Sequence, residues 1–266
     1  MRNTLRAFVI DLHAHILPGL DDGAPDLEAS IAMSMTAVGE GIGTVAATPH
    51  VNRDYPADPQ AMAYAVGALN VALARMEVAL AVLPGGELAM ATARELDGET
   101  LRAFCLGGGD CLLLESPYGG EVPWLEDMIG DLQERGLRLL LAHPERSPLF
   151  QEDPDRLARL VEGGVRCTVN AGSMTGRSGG PARDCVLELF RRGLVHAVST
   201  DAHDNSRRPP RLREGFEALE PDLPGITEQI DWYTNDAPAA ILAGDELPGR
   251  PKAARGGRLR RLFGRA

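Results

Sequence analysis

Seven short apolar runs recur along the chain, and segments with helical periodicity lie between them. The runs are rich in β-branched and aliphatic residues and have the length of buried strands. They cover residues 7–12, 44–48, 80–83, 111–114, 137–142, 165–170 and 195–200. Strands that alternate with helices form parallel sheets, and about seven repeats favour closure of the sheet. The sequence therefore predicts an α/β fold, a distorted seven-stranded (β/α)7 barrel.

Two of the intervening segments carry distinct helix signals. One has its apolar residues at the i, i+4, i+8, i+11 spacing of a single helical face, at Leu27, Ile31, Met35 and Val38. The other has an N-capping aspartate followed by proline at 153–154 and a Gly-Gly stop at 163–164. Both segments are predicted to be amphipathic helices that cover the sheet.

Length and composition favour one domain. With 266 residues and 44% apolar content, the chain is able to bury one sizeable core. The apolar run near the N-terminus is too short for a signal peptide, and no apolar stretch has membrane length, so we expect a cytoplasmic protein. The four cysteines form no C-x-x-C pair, so they are expected to be reduced and mostly buried. We assign residues 1–248 to one domain and residues 249–266 to a C-terminal tail.

The charge distribution argues against nucleic acid as a partner. The net charge is −11, whereas affinity for a polyanion needs clustered basic residues. The tail differs, because it holds seven Lys or Arg and no acidic residue from 250 to 266. The sequence leaves two interpretations of this tail open: a solvated, mobile terminus, or a weak basic anchor to anionic lipid.

The end of nearly every predicted strand is followed by a residue that is able to bind a metal ion. In a parallel barrel the residues after the strands converge on one face, where active sites lie. Five of the six histidines occupy this position, which is not expected of scattered structural histidines. The nine candidate metal ligands are His13, His15, Asp22, His50, Glu87, Glu115, His143, Asp201 and His203.

Nine such groups on one face predict a centre with several metal ions. Without cations the carboxylates would repel one another or be desolvated at a high cost in free energy. Nine ligands also exceed what one ion accepts from a protein, so two or three divalent ions are implied. Nitrogen and oxygen donors without thiolate suit manganese, iron or zinc. Manganese is our preferred candidate, although the donor types do not distinguish the three.

The predicted chemistry is hydrolysis of a phosphate ester. Clustered divalent ions lower the pKa of bound water and hold phosphoryl oxygens during in-line displacement. Arg146 and Arg208 follow His143 and His203 closely enough to reach the same face and bind those oxygens. Arg207 competes with Arg208 for this role.

The ordered series of motifs resembles the polymerase and histidinol phosphatase (PHP) superfamily, and within it the bacterial capsule-type tyrosine phosphatases. The motifs run through nearly the whole chain: DLHAHILPGLDDG, ATPHVN, VLPGGEL, LLLE, LAHPER, STDAH and RRPP. The resemblance implies a distorted seven-stranded barrel with a trinuclear centre, usually of manganese. It also implies removal of phosphate from phosphotyrosine on a bacterial, membrane-associated tyrosine kinase of capsule or exopolysaccharide synthesis.

The resemblance further implies how the ligands divide among three sites. His13, His15 and Asp201 match the first site, with Glu87 as a bridge to the second. Glu115 and His143 complete the second site. The third site is matched by Asp22, His50 and His203, and the phosphate-binding arginines by Arg146 and Arg208. Asp204 departs from the family pattern, which usually has Asn directly after the histidine.

Two alternative functions stay open at this point. A small-molecule phosphatase of the histidinol-phosphate type would share most of the ligands, and a metal-stabilised binding module would use them without catalysis. The C-x5-R spacing at Cys185 matches cysteine-dependent phosphatases, but the helix-forming apolar residues inside it predict a core cysteine. His196 stands at the start of the last strand, so we expect it to be structural.

Overall fold

A computed structural model describes residues 9–56, 58–119 and 122–251. Within these ranges the strands are all paired in parallel and form two sheets, of three and six strands. They are β1 (Val9–Ala14), β2 (Ile42–Ala47), β3 (His50–Val51), β4 (Ala81–Leu83), β5 (Glu87–Ala89), β6 (Cys111–Glu115), β7 (Arg138–Ala142), β8 (Arg166–Asn170) and β9 (Ala197–Ser199). The predicted α/β class with parallel strands is confirmed.

The helices lie mainly between successive strands, as the alternating pattern predicts. The α-helices are α1 (Leu27–Gly39), α2 (Pro59–Arg75), α3 (Met90–Glu95), α4 (Gly98–Ala103), α5 (Leu125–Glu134), α6 (Pro148–Glu152), α7 (Pro154–Glu162), α8 (Ala171–Met174), α9 (Gly180–Arg191), α10 (Arg213–Leu219) and α11 (Ala237–Ala243). Among the described helices, none has both the length and the apolar content to cross a membrane.

The division into two sheets departs from a single seven-stranded ladder. The three-stranded sheet has the order β1-β2-β4, and the other has the order β3-β5-β6-β7-β8-β9. Two of the seven predicted runs are each followed by a short extra strand, β3 or β5. The interruptions contain Pro49 and Pro84, and proline has no N–H to donate to a ladder. The bridge between Ala14 and Ala202 links β1 to the segment that follows β9.

Alternate residues of the central strands enter two separate apolar clusters. On β7, Leu139 and Leu141 pack in the larger cluster together with helix residues, whereas Leu140 packs in a smaller one. The smaller cluster takes Leu12 from the three-stranded sheet and Leu113 from the six-stranded sheet. Because successive side chains of a strand point to opposite faces, the sheets carry apolar residues on both sides.

The two helices with distinct sequence signals are present. In α7 the side chain of Asp153 accepts a hydrogen bond from the backbone N of Arg156, and the turn after the helix places Gly164 at φ 97°. Helix α1 forms as predicted, but Leu27 and Met35 are exposed. Its buried residues are mostly small, and the buried Ser34 hydroxyl donates to the Ser30 carbonyl within the helix. The helix was therefore predicted correctly, and its predicted apolar face only in part, because Ile31 and Val38 pack against the core whereas Leu27 and Met35 do not.

The predicted tail, residues 249–266, lies outside the described residues from residue 252 onward. At its start, the Arg250 guanidinium lies 4.9 Å from the ring centroid of Trp232 and donates to the backbone oxygen of Val195.

Candidate metal centre

The structure brings the nine predicted ligands to one edge of the fold, at the carboxyl ends of the strands. His13, His50, Glu87 and Glu115 lie within strands β1, β3, β5 and β6, and the other five lie in the segments that follow strands. Six of the nine side chains are almost completely buried: His13, His15, Glu87, His143, Asp201 and His203. The remaining three are more accessible to solvent: Asp22, His50 and Glu115.

The deepest group consists of four atoms: Nε2 of His13, Nε2 of His15, Oε2 of Glu87 and Oδ1 of Asp201. The two Nε2 atoms are 3.1 Å apart, and each is 3.3 Å from the Glu87 oxygen. The Asp201 oxygen is 3.5 Å from His13 and 3.4 Å from His15. Two donors that each lie about 2.1 Å from one ion are about 3.0 to 3.4 Å apart in octahedral or tetrahedral geometry. The atoms of His13, His15 and Glu87 are therefore spaced as ligands of a shared ion, and the Asp201 oxygen lies at a similar distance from both histidines.

Two more histidines and Glu115 lie around the same Glu87 carboxylate. Nε2 of His143 lies 2.8 Å from Oε1 of Glu87, and Nδ1 of His50 lies 3.1 Å from Oε2. His50, Glu87 and Glu115 each offer a ligand atom within 4.8 Å of the others. The two oxygens of Glu87 thus face different histidines, Oε1 toward His143 and Oε2 toward His13, His15 and His50.

The third group contains Asp22, the partly exposed member. Its Oδ1 lies 3.6 Å from Nε2 of His50 and 3.4 Å from Nε2 of His203. His15 offers a fourth ligand atom to this group, again within 4.8 Å of the other three. The grouping has the same three members as the third site implied by the resemblance, with His15 added.

Several buried polar atoms at the centre lack hydrogen-bond partners, as is expected of atoms that bind a cation. Nδ1 of His50 and Oε2 of Glu87 are close but not in hydrogen-bond geometry, and these two buried atoms and Nε2 of His203 have no hydrogen-bond partner among the described residues. Buried polar atoms are rarely left without a partner, and the exceptions call for an explanation such as an ion. Imidazole nitrogens and carboxylate oxygens form the donor set that manganese, iron and zinc accept. The residues present thus fit a multinuclear metal centre.

The pKa values of three candidate ligands, Glu87, Asp201 and His203, are shifted toward the forms that bind metal, whereas neighbouring carboxylates raise the pKa values of His15, His50 and His143. Burial acts to raise the pKa of Glu87 and of Asp201, but the charge of His13 and hydrogen bonds with neighbouring histidines lower both pKa values well below the usual range. Burial and the charge of His15 lower the pKa of His203 to about 3. Ionised carboxylates and a neutral imidazole are the forms that bind metal ions.

Asp21 contacts the candidate ligand His15 on the side away from the other ligands. The sequence analysis missed it and selected Asp22 from the same pair. The Asp21 side chain is 1% exposed, and Nδ1 of His15 donates to its Oδ2 at 2.6 Å. The backbone N of His50 donates to the same oxygen at 2.9 Å. Burial opposes ionisation, but the His15 hydrogen bond and charge lower the pKa of Asp21 to about 2. Such a carboxylate fixes the tautomer and the ring orientation of a ligating histidine.

The glycine of the DDG motif is required by close packing. A Cβ at Gly23 would lie 2.1 Å from the backbone oxygen of His15 and 2.6 Å from its Cβ. The backbone at residue 23 therefore packs directly against residue 15. This contact brings the loop that carries Asp21 and Asp22 back over the strand end.

Both predicted arginines contact Asp201 beside the centre. Nη1 of Arg146 donates to Oδ2 of Asp201 at 3.1 Å, and Nη2 of Arg208 donates to the same oxygen at 2.5 Å. The two guanidinium groups line a cavity of about 240 Å³ that also reaches Asp201. The competing residue, Arg207, is exposed and does not line this cavity.

Asn170 is a second residue that the sequence analysis did not select. It ends β8, it is 4% exposed, and its Nδ2 donates to Oδ2 of Asp201 at 2.6 Å. Its Oδ1 has no hydrogen-bond partner among the described residues. The rule that found the other residues, a polar group at the end of a predicted strand, applies to the sixth run and would have found it.

Two of the candidate ligands have a left-handed backbone. His143 has φ 35° and Asp201 has φ 50°, each directly after a strand or one residue beyond it. Non-glycine residues avoid this region, and strained residues of this kind cluster at functional sites. The turns direct both side chains toward Glu87 and His13.

Of the aromatic residues near the predicted strand ends, Tyr118 is closest to the arginines. Its ring centroid lies 5.6 Å from that of His143, and the Arg146 guanidinium lies 5.1 Å above the ring. Burial raises the pKa of its hydroxyl, so that group stays protonated. Trp124 instead packs against Arg94, at 4.4 Å.

The two residues that were expected to be structural lie away from the centre. Cys185 is buried in α9, and burial raises the pKa of its thiol to about 12, which excludes a reactive thiolate. His196 is 6% exposed at the start of β9, and its Nδ1 accepts a hydrogen bond from the backbone N of Cys167. All four cysteines are buried and unpaired.

Comparison with known proteins identifies relatives over most of the chain. A family model described as capsular polysaccharide synthesis, CpsB/CapC, matches residues 9–230. The tyrosine-protein phosphatase YwqE of Bacillus subtilis (strain 168) is 36% identical over 216 residues, which cover 81% of this chain and 85% of that protein. The tyrosine-protein phosphatase CpsB of Streptococcus pneumoniae is 22% identical over 218 residues, 79% of this chain and 89% of that protein.

Solved structures give the same relationship. One chain, from crystal structures of YwqE from Bacillus subtilis and CpsB from Streptococcus pneumoniae, described as unique metal-dependent tyrosine phosphatases, superposes with a TM-score of 0.78 at 31% identity. The match covers 92% of this chain and 99% of that one. The lactonase Lmo2620 from Listeria monocytogenes matches with a TM-score of 0.59 at 14% identity, over 89% of this chain and 95% of the other, which shows a shared fold alone.

Proposed function

This chain belongs to the CpsB/CapC family of capsular polysaccharide synthesis, and we propose that it is a metal-dependent protein-tyrosine phosphatase. One observation carries the proposal. Three groups of metal-capable side chains meet at one edge of the fold, directly beside two arginines that line a cavity. The names of the relatives, which are tyrosine-protein phosphatases, supply the substrate class.

We propose that the nine predicted ligands hold two to three divalent ions, with manganese preferred over iron or zinc. Such ions, when bound, lower the pKa of water and polarise phosphoryl oxygens. Glu87 bridges between the groups through its two oxygens. Asp201 directs Oδ1 toward His13 and His15, because Oδ2 is occupied by Arg146, Arg208 and Asn170.

Arg146 and Arg208 are proposed as the residues that bind the phosphoryl group. Both guanidinium groups are about one-third exposed, and they are held at one carboxylate oxygen with further N–H donors left over. Phosphate oxygens accept paired N–H donors from arginine. Two arginines at the mouth of the centre therefore neutralise charge that develops on the equatorial oxygens during displacement.

The leaving group needs no dedicated acid. Tyrosine has a pKa of about 10 in water, so tyrosinate is a fair leaving group. Tyr118, which packs on Arg146 and His143, offers an aromatic surface to the phenyl ring of the substrate.

For the fold, we propose a barrel in which β2 with β3, and β4 with β5, act as two interrupted strands. Joining these pairs leaves seven strands in the circular order of the ladders, and the Ala14–Ala202 bridge closes the circle. The apolar cluster that draws on both sheets, with Leu12 and Leu113, is then the barrel interior. Residues 1–248 form the one domain.

The proposed partner is a phosphotyrosyl protein, a membrane-associated bacterial tyrosine kinase of capsule or exopolysaccharide synthesis, in the cytoplasm. Basic residues 249–266 are proposed to give a weak contact with anionic lipid. Removing residues after Pro248 should then abolish binding to anionic liposomes without changing peptide turnover. Equal liposome binding by the truncated chain would disprove the contact.

The function is tested by hydrolysis assays on the purified chain with a phosphotyrosyl peptide and with histidinol phosphate. We expect phosphate release from the peptide to exceed that from histidinol phosphate, to stop with a chelator and to return with added metal. Preference for histidinol phosphate would favour the small-molecule phosphatase. Chelator-insensitive turnover would exclude the metal mechanism, and no turnover by the metal-loaded chain would favour a binding module.

A further inference from the structure

The cavity beside the metal centre has a second wall that the proposed reaction does not use. Arg146, Arg208 and Asp201 form one side. Gly172, Arg177 and Ser178, from helix α8 and the loop before α9, line the same cavity. A third arginine therefore faces the space that receives the phosphoryl group.

Arg177 is held in place by an ion pair that uses only one of its side-chain nitrogens. Its Nη2 donates to Oε1 of Glu214 at 2.8 Å, and its backbone N donates to the oxygen of Gly172 at 2.9 Å. Glu214 also lies 4.0 Å from Nη1 of Arg211, so one carboxylate is shared by two guanidinium groups. The Arg177–Glu214 pair is about one-third exposed and contributes little stability of its own.

Donors on this wall stay available to a ligand. Arginine has five N–H donors, and within the described residues only Glu214 accepts from the Arg177 side chain. Oγ of Ser178 accepts from Oγ of Ser173 at 3.0 Å and keeps its own proton free to donate. A Cβ at Gly172 would lie 3.4 Å from Nη1 of Arg177, so the glycine leaves the guanidinium uncovered.

The residues that line this cavity carry a net positive charge, whereas the whole chain is negatively charged. The chain carries a net charge of −11, yet Arg146, Arg177 and Arg208 line this cavity. Arg146 and Arg208 are both held at Asp201, whereas no described contact joins Arg177 to Asp201 or to a predicted ligand. The third arginine is thus placed to receive a second anionic group rather than the phosphate at the metal centre.

We propose that Arg177, with Ser178, forms a subsite for an acidic side chain that flanks the phosphotyrosine in the substrate polypeptide. The proposal rests on the proposed phosphatase function. A carboxylate would pair with the planar guanidinium through two N–H donors while the phosphoryl group occupies Arg146 and Arg208. The subsite makes the sequence around the tyrosine, and not only the phosphate, a determinant of substrate choice.

The test compares two phosphotyrosyl peptides of otherwise identical sequence. In one peptide the two residues on each side of the phosphotyrosine are Glu, and in the other peptide the same positions are Gln. kcat/KM is measured for the metal-loaded full chain, for R177Q and for R207Q. Arg207 is the matched control, because it is exposed near the same mouth but does not line the cavity. Both variants remove one positive charge, so long-range attraction of the acidic peptide changes similarly.

We expect the unsubstituted chain to prefer the Glu peptide by about three- to five-fold, the gain of one partly exposed ion pair. R177Q should reduce this ratio to near one, and R207Q should keep it. Equal turnover of both peptides by the unsubstituted chain, or the same ratio in R177Q, overturns the subsite while the phosphatase function stands. Failure to hydrolyse either peptide overturns the phosphatase function and the subsite with it.

Discussion

Asn170 holds Asp201 through a 2.6 Å hydrogen bond from its amide to Oδ2, the oxygen that also accepts from Arg146 and Arg208. Three donors on one oxygen leave Oδ1 directed at His13 and His15. The two arginines that are proposed to bind phosphate and the deepest histidines are therefore connected through a single carboxylate, and a neutral amide helps to orient that carboxylate.

Replacing Asn170 with Ala should lower kcat/KM on a phosphotyrosyl peptide by about 10- to 100-fold, the usual effect of losing a residue that orients a metal ligand. The control is Asn70→Ala, which removes two hydrogen bonds to the backbone of Val82 and none to a predicted ligand. That variant should lose stability in a denaturant titration but keep its turnover. A similar loss of activity in both variants would show that Asn170 acts only through stability.

Replacing His143 with Ala should reduce kcat by about 100-fold or more, because it removes the imidazole that lies 2.8 Å from Oε1 of Glu87. Steady-state kinetics and a thermal unfolding curve give the two readouts, and the fold should remain intact. His196→Asn, at a buried histidine outside the centre, is the control and should retain turnover. Near-normal kcat in His143→Ala would remove His143 from the proposed mechanism.

Replacing Asp21 with Asn should weaken metal binding by about 10- to 100-fold, because the carboxylate that orients His15 loses its charge. Calorimetric titration of the metal-free chain with Mn²⁺ measures this affinity directly. Asp26→Asn lies in the same loop, where it caps α1, and asparagine caps a helix equally well. This control should bind metal normally, and unchanged affinity in Asp21→Asn would contradict the supporting role of Asp21.

Acidification should destabilise the chain in part through His196. Burial and the charges of Arg166 and Arg250 lower its pKa to about 3, against about 6.5 when unfolded. The unfolded state therefore binds the extra proton between these values, so this contribution is complete above pH 6.5 and is lost as the pH falls toward 3. Between pH 7 and pH 5 the loss amounts to about 2 kcal/mol.

His196→Asn provides the measurement for this pH effect. Asparagine keeps an acceptor for the backbone N of Cys167 but does not titrate in this range. Urea unfolding of the metal-free chain at both pH values should show a smaller pH dependence in the variant, by about that amount. Equal pH dependence in the two chains would mean that His196 is not the titrating group.

The sequence located most of the candidate centre because strand ends converge in a parallel fold. His143 and Asp201 lie 58 positions apart in the numbering, yet each follows an apolar run, and the structure places both beside Glu87 and His13. Their assignment as ligands remains a prediction. Asn170 obeyed the same rule and was overlooked, because an amide is not an obvious metal ligand.

Other features of the fold and of the candidate centre could not be predicted from short sequence patterns, because they depend on packing between distant parts of the chain. Asp21 and Asp22 are adjacent and chemically identical, and only the close approach of Gly23 to His15 decides which one faces the imidazole. In α1 only Ile31 and Val38 of the predicted apolar face pack against the core, because the residues buried most deeply there are mostly small and lie beside that face. The strand breaks at Pro49 and Pro84 split the ladder into two sheets.

The left-handed backbone at His143 and Asp201 implies a trade-off between thermal stability and catalytic activity. Glycine would relieve the unfavourable torsion at either position, so directed evolution for heat tolerance alone would tend to favour it there. The glycine variants selected in this way would resist heat better but would lack an imidazole or a carboxylate at the proposed centre. Engineering of this enzyme for resistance to heat must therefore measure catalytic turnover together with resistance to thermal inactivation.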